Sequence, residues 1–183
     1  IYIEERKKKN LLIDTPISTK IWQRGFHIDE DDNLKEAQIR FRGDNPRNWL
    51  LEKKHWRIKV NKNEIKNQKR YFDFLPFKFD KYFSGKIANS VNLLSPEFKL
   101  IELYVNDLSE GVYIESENLN ESFLRRKKIM PVNMYKIEQI LDESITALDI
   151  NFFNSPGATS KSAIFNQLDK SDKSDLIFYL ELI

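Results

Sequence analysis

Four basic side chains fall on one face of a predicted pair of strands. Residues 37–42 and 55–60 each alternate apolar with polar side chains, and a period of two places the two kinds on opposite faces of a strand. The polar positions include Arg40, Arg42, Arg57 and Lys59. Cations that share a sheet face repel one another unless an anionic group lies over them, so the pattern indicates an anion-binding surface. The alternative is an ordinary solvated face of the sheet.

The two strands are joined by a loop that begins with the turn-forming sequence Gly43-Asp44-Asn45-Pro46. Glycine supplies unusual φ angles, Asp and Asn bond to their own backbone, and proline fixes φ. We therefore predict an antiparallel pair closed by a long loop, with the basic side chains beside it.

The composition is that of a chain with a buried core, because 40% of the 183 residues are hydrophobic and 13% are aromatic. The 30 basic residues nearly balance the 28 acidic ones, so any basic site must be local. No cysteine is present, which excludes disulfides, thiolate nucleophiles and thiolate metal ligands. No run approaches the ~18 apolar residues of a membrane span, and no signal peptide is visible.

Residues 69–77 read as a third strand in which aromatic and basic residues are interleaved. Such a strand can stack the bases of single-stranded nucleic acid. We favour an aromatic core strand, because the flanking segments need a core to pack on, and we expect no nucleic-acid partner.

The segment 35–117 predicts an α+β domain, an antiparallel sheet with one packed helix. Apolar residues recur at spacings of three and four in 79–94, which predicts the helix. Residues 98–105 and 111–115 predict a hairpin around Asn106-Asp107.

Residues 1–34 are interpreted as an N-terminal extension with a short amphipathic helix in 1–12 and an apolar segment in 19–28 that lies against the sheet. Asp29, Asp31 and Asn33 match the first three ligands of a calcium loop. The loop then lacks the glycine and the final glutamate that this site needs, so the interpretation is an acidic surface turn.

Residues 118–183 are interpreted as the beginning of a helical domain. Helices are predicted in 134–148, in 163–168 and from 175 to 183, and 154–162 is predicted to be a loop. The sequence begins with Ile1 rather than Met and stops within an apolar helical pattern, so both ends look cut.

Two motifs resemble the CotH (spore coat protein H) kinase-like family. The first is Arg42-Gly43 with its loop and the strand Lys54-His55-Trp56-Arg57-Ile58-Lys59. The second is the strand–turn–strand of residues 102–107 and Gly111-Val112-Tyr113, followed by Glu117 and by Phe123-Leu124. The similarity covers roughly residues 35 to 124, and the order of the motifs matches the predicted elements.

The resemblance implies an atypical protein kinase fold whose small, nucleotide-binding lobe is 35–117, followed by the first helices of a large lobe. It implies ATP with Mg²⁺ as cofactors and phosphoryl transfer to protein Ser or Thr. The Arg-Gly loop would cover the phosphates, and Glu117 would lie at the hinge between the lobes. The implied nucleotide-binding residues are Arg42, Gly43, Lys54, Arg57, Lys59 and Glu117. Family members are often bacterial and linked to spore coats or secreted material.

Three departures from the family pattern bear on activity. The turn is Asn106-Asp107 where the family usually has Asn-Gly, and the predicted helix 79–94 has no acidic residue in its middle. The family's catalytic Asp with an Asn five residues later, and its metal-binding Asp, are expected beyond Ile183. Asp149 and Asn154 have the spacing but precede the last helix. The catalytic residues are therefore unknown, and this chain alone is expected to be inactive.

A non-catalytic alternative uses the same basic face on a kinase-like scaffold that has lost its chemistry. It would bind an anionic glycan or a protein partner. His27 and His55 have no partners at metal-ligand spacing, so no metal site is predicted from the protein's own side chains.

Overall fold

The structure is a computed structural model that describes residues 1–29, 31–43, 48–64, 69–130, 132–137, 159–163 and 172–181. Their elements are α1 (Glu5–Ile13), β1 (Gln23–Ile28), β2 (Leu34–Phe41), β3 (Trp56–Val60), β4 (Tyr71–Pro76), α2 (Phe79–Ser90), β5 (Phe98–Val105), β6 (Leu108–Glu117), α3 (Glu121–Arg126), β7 (Met134–Ile137), β8 (Thr159–Ala163) and α4 (Ser174–Glu181), with short 3₁₀ turns at Ser18–Lys20 and Lys62–Glu64. Contacts divide the chain into two compact units, Ile1–Asn118 and Leu119–Ile183.

The first unit is built on a six-stranded antiparallel sheet in the order β1-β2-β3-β4-β6-β5. The register sets Arg40 opposite Arg57 and Ile39 opposite Ile58. Basic side chains of β2 and β3 therefore share one face and apolar ones share the other. The predicted α+β class, with an antiparallel sheet and a helix inserted between β4 and β5, is confirmed.

The apolar face of the sheet carries the main core. Phe41 and Trp56 pack with ring centroids 4.7 Å apart, and Ile39 and Tyr113 are fully buried beside them. The Tyr113 hydroxyl donates to the Lys54 carbonyl at 3.2 Å, and it also lies 2.9 Å from a Glu110 carboxylate oxygen. This contact ties the end of the loop before β3 to the centre of β6.

The helix α2 lies against β5 at Gly85, where a Cβ would come 2.1 Å from the Phe98 ring. A glycine that weakens the isolated helix therefore permits close packing. The helix ends at Ser90, four residues before the predicted end. Asn92 adopts a left-handed φ of 59°, and the Leu93 N–H donates to the Ala88 carbonyl at 2.9 Å, which is a Schellman termination.

The N-terminal segment adds a strand that the sequence pattern did not predict. Residues 23–28 do not lie over the sheet but form β1 within it, paired with β2. The acidic turn closes this hairpin, because the Asp29 Oδ1 accepts the N–H groups of Asp31 at 2.9 Å and Asn33 at 3.0 Å. The predicted acidic surface turn is therefore stabilised by the Asp29 side chain, which binds two backbone N–H groups of the turn.

The β5–β6 turn shows how Asn106-Asp107 replaces an Asn-Gly turn. Both residues have positive φ, 51° and 66°. The cost is offset by side-chain bonds to the N-terminal segment: the Asn106 side chain bonds to the Ile3 N–H and carbonyl, each at 2.8 Å, and Asp107 accepts the Tyr2 hydroxyl at 2.5 Å.

In the second unit, α3 is capped by the Asn120 side chain, which accepts the Phe123 N–H at 3.2 Å. Phe123 and Leu124 are buried with Leu119, Ile129 and Met134. Within the described part of the chain, none of the helices has the length and hydropathy to cross a membrane.

Two predictions for the second unit are wrong where the structure describes it. Residues 134–137, predicted to begin a helix, form the strand β7. Residues 159–163, predicted to end the loop 154–162 and begin the helix 163–168, form β8, antiparallel to β7. Strand pairing distant in sequence overrides a short helical pattern. The rest of the predicted helix 134–148, with Asp149 and Asn154, lies outside the described residues.

Candidate functional site

Two of the predicted basic residues converge on one carboxylate. The Arg42 Nε lies 2.7 Å from the Asp73 Oδ2. The Arg57 Nε and Nη2 lie 2.5 and 2.7 Å from the Asp73 Oδ1 and Oδ2. Two guanidinium groups thus share one side chain through three charge-assisted hydrogen bonds.

The strand register explains this convergence. Arg57 in β3 lies directly opposite Asp73 in β4, and Arg42 follows the last residue of β2, where its N–H bonds to the His55 carbonyl at 2.8 Å. The Asp73 side chain is 1% exposed, against 17% for Arg57 and 31% for Arg42. A buried carboxylate needs paired charges, so Asp73 fixes the guanidinium groups while leaving part of Arg42 accessible.

Two titratable groups beside this cluster, His55 and Lys81, have lowered pKa values. Burial lowers the pKa of His55 to about 4, and Arg42, Lys81 and Lys78 add to the effect, with Asp73 opposing it. Burial also lowers the pKa of Lys81, again with contributions from Arg42 and Lys78. Nearby cations disfavour further protonation. Burial is the larger cause for both groups, and the cations near Asp73 act in the same direction.

The loop after β2 begins with a glycine that has a positive φ. Gly43 has a φ of +92°, and a Cβ there would lie 2.1 Å from the Asn48 Nδ2. Only glycine adopts this φ easily. The Asn48 carbonyl in turn accepts the His55 N–H at 2.6 Å, so both described ends of the loop meet beside Arg42.

Residues 39–183 match the family described as CotH kinase protein. The chain belongs to this family. The matched region contains the whole Arg42–Arg57–Asp73 cluster and most of the sheet. No curated protein matches the sequence.

The other two basic residues of the face, Arg40 and Lys59, contact Trp22 rather than Asp73. The Arg40 guanidinium lies 4.8 Å and the Lys59 ammonium 5.6 Å from the centroid of the Trp22 ring. Both distances are those of cation–π contacts. The predicted basic face is therefore divided between an ionic half and an aromatic half.

Two further predicted residues are placed elsewhere. The Lys54 ammonium donates to the Leu51 carbonyl at 2.9 Å. Glu117 lies opposite Phe72, whereas Asp73 lies opposite Ser116, so Glu117 and Asp73 are on different faces of the sheet. Of the six predicted nucleotide-binding residues, the structure brings Arg42, Gly43 and Arg57 together.

Sequence reasoning assigned no role in the site to Asp73, Lys78 or Lys81. It placed His55 in the motif strand and found no metal-ligand partner for it. The available signal was an aspartate inside the otherwise apolar Tyr71–Pro76 strand, since a buried charge needs a partner. No group of three or more His, Asp or Glu side chains suited to a metal ion occurs among the residues that the structure describes.

Proposed function

We propose that the first unit binds the phosphates of ATP at the Arg42–Arg57–Asp73 cluster, as the nucleotide-binding part of a CotH-like kinase. The observation that carries the proposal is that Arg42 and Arg57 share one buried carboxylate. Beside them Arg42, Lys81 and Lys78 all help to lower the pKa of His55. A triphosphate would supply the missing negative charge.

The residue types suit phosphate oxygens. Arginine presents a rigid planar fork that matches a phosphate with two hydrogen bonds, and lysine adds a mobile point charge. Asp73 engages the Arg42 Nε, which leaves the other guanidinium nitrogens of this half-exposed side chain for a ligand. The glycine at position 43 lets backbone pass close to that ligand.

The chemical step that such binding serves is proposed to be transfer of the γ-phosphoryl group to a serine or threonine hydroxyl of a protein. The hydroxyl oxygen bonds to the γ-phosphorus, the bond to the bridging oxygen breaks, ADP leaves, and the hydroxyl proton passes to a base. The cluster would neutralise charge on the phosphates during this step. The base and the roles of Lys54, Lys59 and Glu117 stay predictions.

Magnesium is part of the proposal only through the nucleotide. Both Asp73 oxygens are held by arginines, so this carboxylate does not suit a metal ion. Mg²⁺ commonly keeps several waters and binds through substrate phosphates with few protein ligands. Titrations with and without Mg²⁺ would show whether the metal strengthens ATP binding to this chain.

The test is calorimetric titration of ATP into the chain and its variants. Arg42→Ala should weaken binding by about tenfold or more, the loss of a charge-assisted contact. Arg40→Ala is the matched control, because Arg40 lies on the same sheet face but against Trp22. Equal effects of the two changes, or an unchanged affinity in Arg42→Ala with its fold intact, would contradict the assigned site.

His55 offers an independent readout. A bound triphosphate should raise the lowered pKa of His55, because anionic oxygens oppose the effect of Arg42 and the lysines. Titration of the imidazole proton resonances with and without ATP measures this directly. If a sulfated oligosaccharide raises that pKa and ATP does not, the site belongs to the non-catalytic, glycan-binding alternative.

A further inference from the structure

Lys59, in the aromatic half of the basic face, has no carboxylate beside it in the sheet. Arg57 lies opposite Asp73 in β4, but two residues along the same strands Lys59 lies opposite Tyr71. On its other side Lys59 lies opposite the neutral Gln38 of β2. Within the part of the chain that the structure describes, Lys59 forms no salt bridge. Its positive charge is therefore open to an anion that comes from outside the sheet.

Arg24 lies in the same row of residues across the sheet. It is opposite Gln38, which is opposite Lys59, so the three side chains share one face. Neighbouring strands are about 4.8 Å apart, which places the backbones of Arg24 and Lys59 about 10 Å from each other. Arg24 is exposed, and with the residues that the structure describes it forms no salt bridge either. This row therefore carries two basic side chains that no described carboxylate engages.

Two aromatic rings hold cations beside this row. The Lys59 ammonium lies 5.6 Å from the centroid of the Trp22 ring, and the Trp22 and Tyr71 centroids are 6.2 Å apart. On Tyr71 the Arg70 guanidinium lies 5.9 Å from the ring centroid, and its Nε donates to the Val60 carbonyl at 3.4 Å. A cation over a ring is attracted by the π electrons and keeps most of its N–H groups for an acceptor. The rings therefore hold these cations near the sheet without neutralising them.

The acidic residues of this sheet face lie elsewhere. Among the residues that β1 to β4 present on it, Asp73 is bound by the two arginines of the ionic half, and Glu36 lies opposite Phe26, nearer to the β1–β2 turn. Neither forms a salt bridge with Arg24 or Lys59. The surface that remains is positively charged and partly aromatic. We call it the basic shelf, and it consists of Trp22, Arg24, Lys59, Arg70 and Tyr71.

We propose that the basic shelf binds an acidic, extended segment of a partner protein. In a polyproline II segment, residues i and i+3 lie on the same side about 9 Å apart, close to the separation of Arg24 and Lys59. Glutamates at that spacing would place a carboxylate on each cation. Prolines between them would pack against the rings of Trp22 and Tyr71, as proline-rich ligands do on other aromatic surfaces. The opposite charges would also steer the segment to this face.

The probe is a fluorescein-labelled peptide with blocked ends and four Glu-Pro-Pro repeats. Its binding to the whole chain is followed by fluorescence anisotropy. The control peptide has glutamine in place of glutamate, which keeps the shape of the side chain and removes its charge. We expect the control to bind about tenfold or more weakly, because the charge-assisted hydrogen bonds are lost. The affinity of the acidic peptide should also decrease as salt is added.

Substitutions on the two faces of the sheet locate the site. Lys59→Gln and Arg24→Gln each remove one cation of the shelf and should weaken binding of the acidic peptide about fivefold. Lys35→Gln is the matched control, because Lys35 of β2 lies opposite His27 on the other sheet face, and it should leave the affinity unchanged. Lys59→Arg keeps the charge and should retain binding. Circular dichroism and thermal unfolding confirm that each variant is folded.

Binding that requires the glutamates and both shelf cations supports the proposal. Equal binding of the two peptides, equal effects of the shelf and control substitutions, or no binding at millimolar peptide overturns it. Stronger displacement of the probe by ATP, by a sulfated oligosaccharide or by single-stranded DNA than by unlabelled peptide also overturns it, because that ligand would then be the occupant. The shelf shares no residue with the Arg42–Arg57–Asp73 cluster, so these outcomes are independent of the ATP test.

Discussion

The two halves of the basic sheet face contain the same kinds of side chain but hold them in different ways. Arg42 and Arg57 bind a buried carboxylate, whereas Arg40 and Lys59 lie over the ring of Trp22. The neighbouring strand decides the difference. In β4, Asp73 lies opposite Arg57 and Tyr71 lies opposite Lys59, with Tyr71 in turn 6.2 Å from Trp22 between ring centroids.

This contrast shows why basic side chains on one face need not form one site. Charge-assisted bonds to a buried group hold a guanidinium in a defined place, and that is the half where a phosphate would find fixed partners. Cation–π contacts near the surface contribute about 0.5–1 kcal/mol and do not fix a guanidinium as two charge-assisted hydrogen bonds do. A phosphate should therefore bind at Arg42 and Arg57, and substitutions at Arg40 or Trp22 serve as controls.

The strongest test of the contrast is Asp73→Asn. Two guanidinium groups would lose their charged partner in a buried place, which costs about 3–5 kcal/mol. Urea unfolding measures the loss, and Asp80→Asn, an exposed aspartate in the first turn of α2, should change stability by less than about 0.5 kcal/mol. If the two variants lose equal free energy of unfolding, the bonds of Asp73 to the two arginines contribute no more to stability than an exposed surface residue does.

Replacing Gly43 by alanine should have the next largest effect. A Cβ at a φ of +92° is strained and would meet the Asn48 side chain at 2.1 Å, so we expect a loss of about 1–3 kcal/mol. A second substitution, Asn48→Ala, should restore the stability lost through the collision with the Asn48 side chain. The loss caused by backbone strain at position 43 should remain. A double variant no more stable than the single one would show that Asn48 does not make this contact in solution.

The free energy of unfolding should also decrease as the pH is lowered, because of His55. Above pH 6.5 the imidazole is neutral in both states. Between 6.5 and about 4 the unfolded chain binds a proton that the folded chain does not, so stability decreases as pH falls through this window. We expect a loss of about 1–2 kcal/mol after solvent screening, measured by unfolding at several pH values.

The matched variants for this pH effect are His55→Gln and His27→Gln. The first should flatten the pH dependence within the window, and the second should retain it. A slope that survives in His55→Gln would assign the effect to other groups.

The smallest change is expected from Trp22→Leu. The side chain stays apolar, and the contacts with Arg40, Lys59 and the Tyr71 ring are lost, so stability should drop by about 1 kcal/mol. ATP binding should be unaffected, as measured by the same calorimetric titration. A large loss of ATP affinity in this variant would show that both halves of the basic face take part in ATP binding.

The sequence was sufficient to predict the strands with strong alternation and the helix between them. Trp56, Ile58 and Val60 are buried as their period of two required. The strand β1 was missed because its residues, Gln23 to Ile28, include a glycine and a weak pattern. Its place in the sheet depends on pairing with β2 and with Tyr2, which no local pattern reports.

The site was predictable only in part for a similar reason. The positions of Arg42 and Gly43 follow from a motif, and the shared face of the arginines follows from strand period. The meeting of Arg57 with Asp73 depends on which residues of β3 and β4 are opposite each other, and register is set by the whole sheet. Lys81 is brought near by the packing of α2, a tertiary effect.

The bond between Tyr113 and the Lys54 carbonyl has a kinetic consequence. It anchors the returning side of the loop to the core, and His55, one residue further, holds the backbone of Arg42. The described residues of the proposed phosphate site are thus held in place by the fold, so binding of an anion there should cost little ordering entropy. Association should then be governed by long-range attraction and slow down as salt is added.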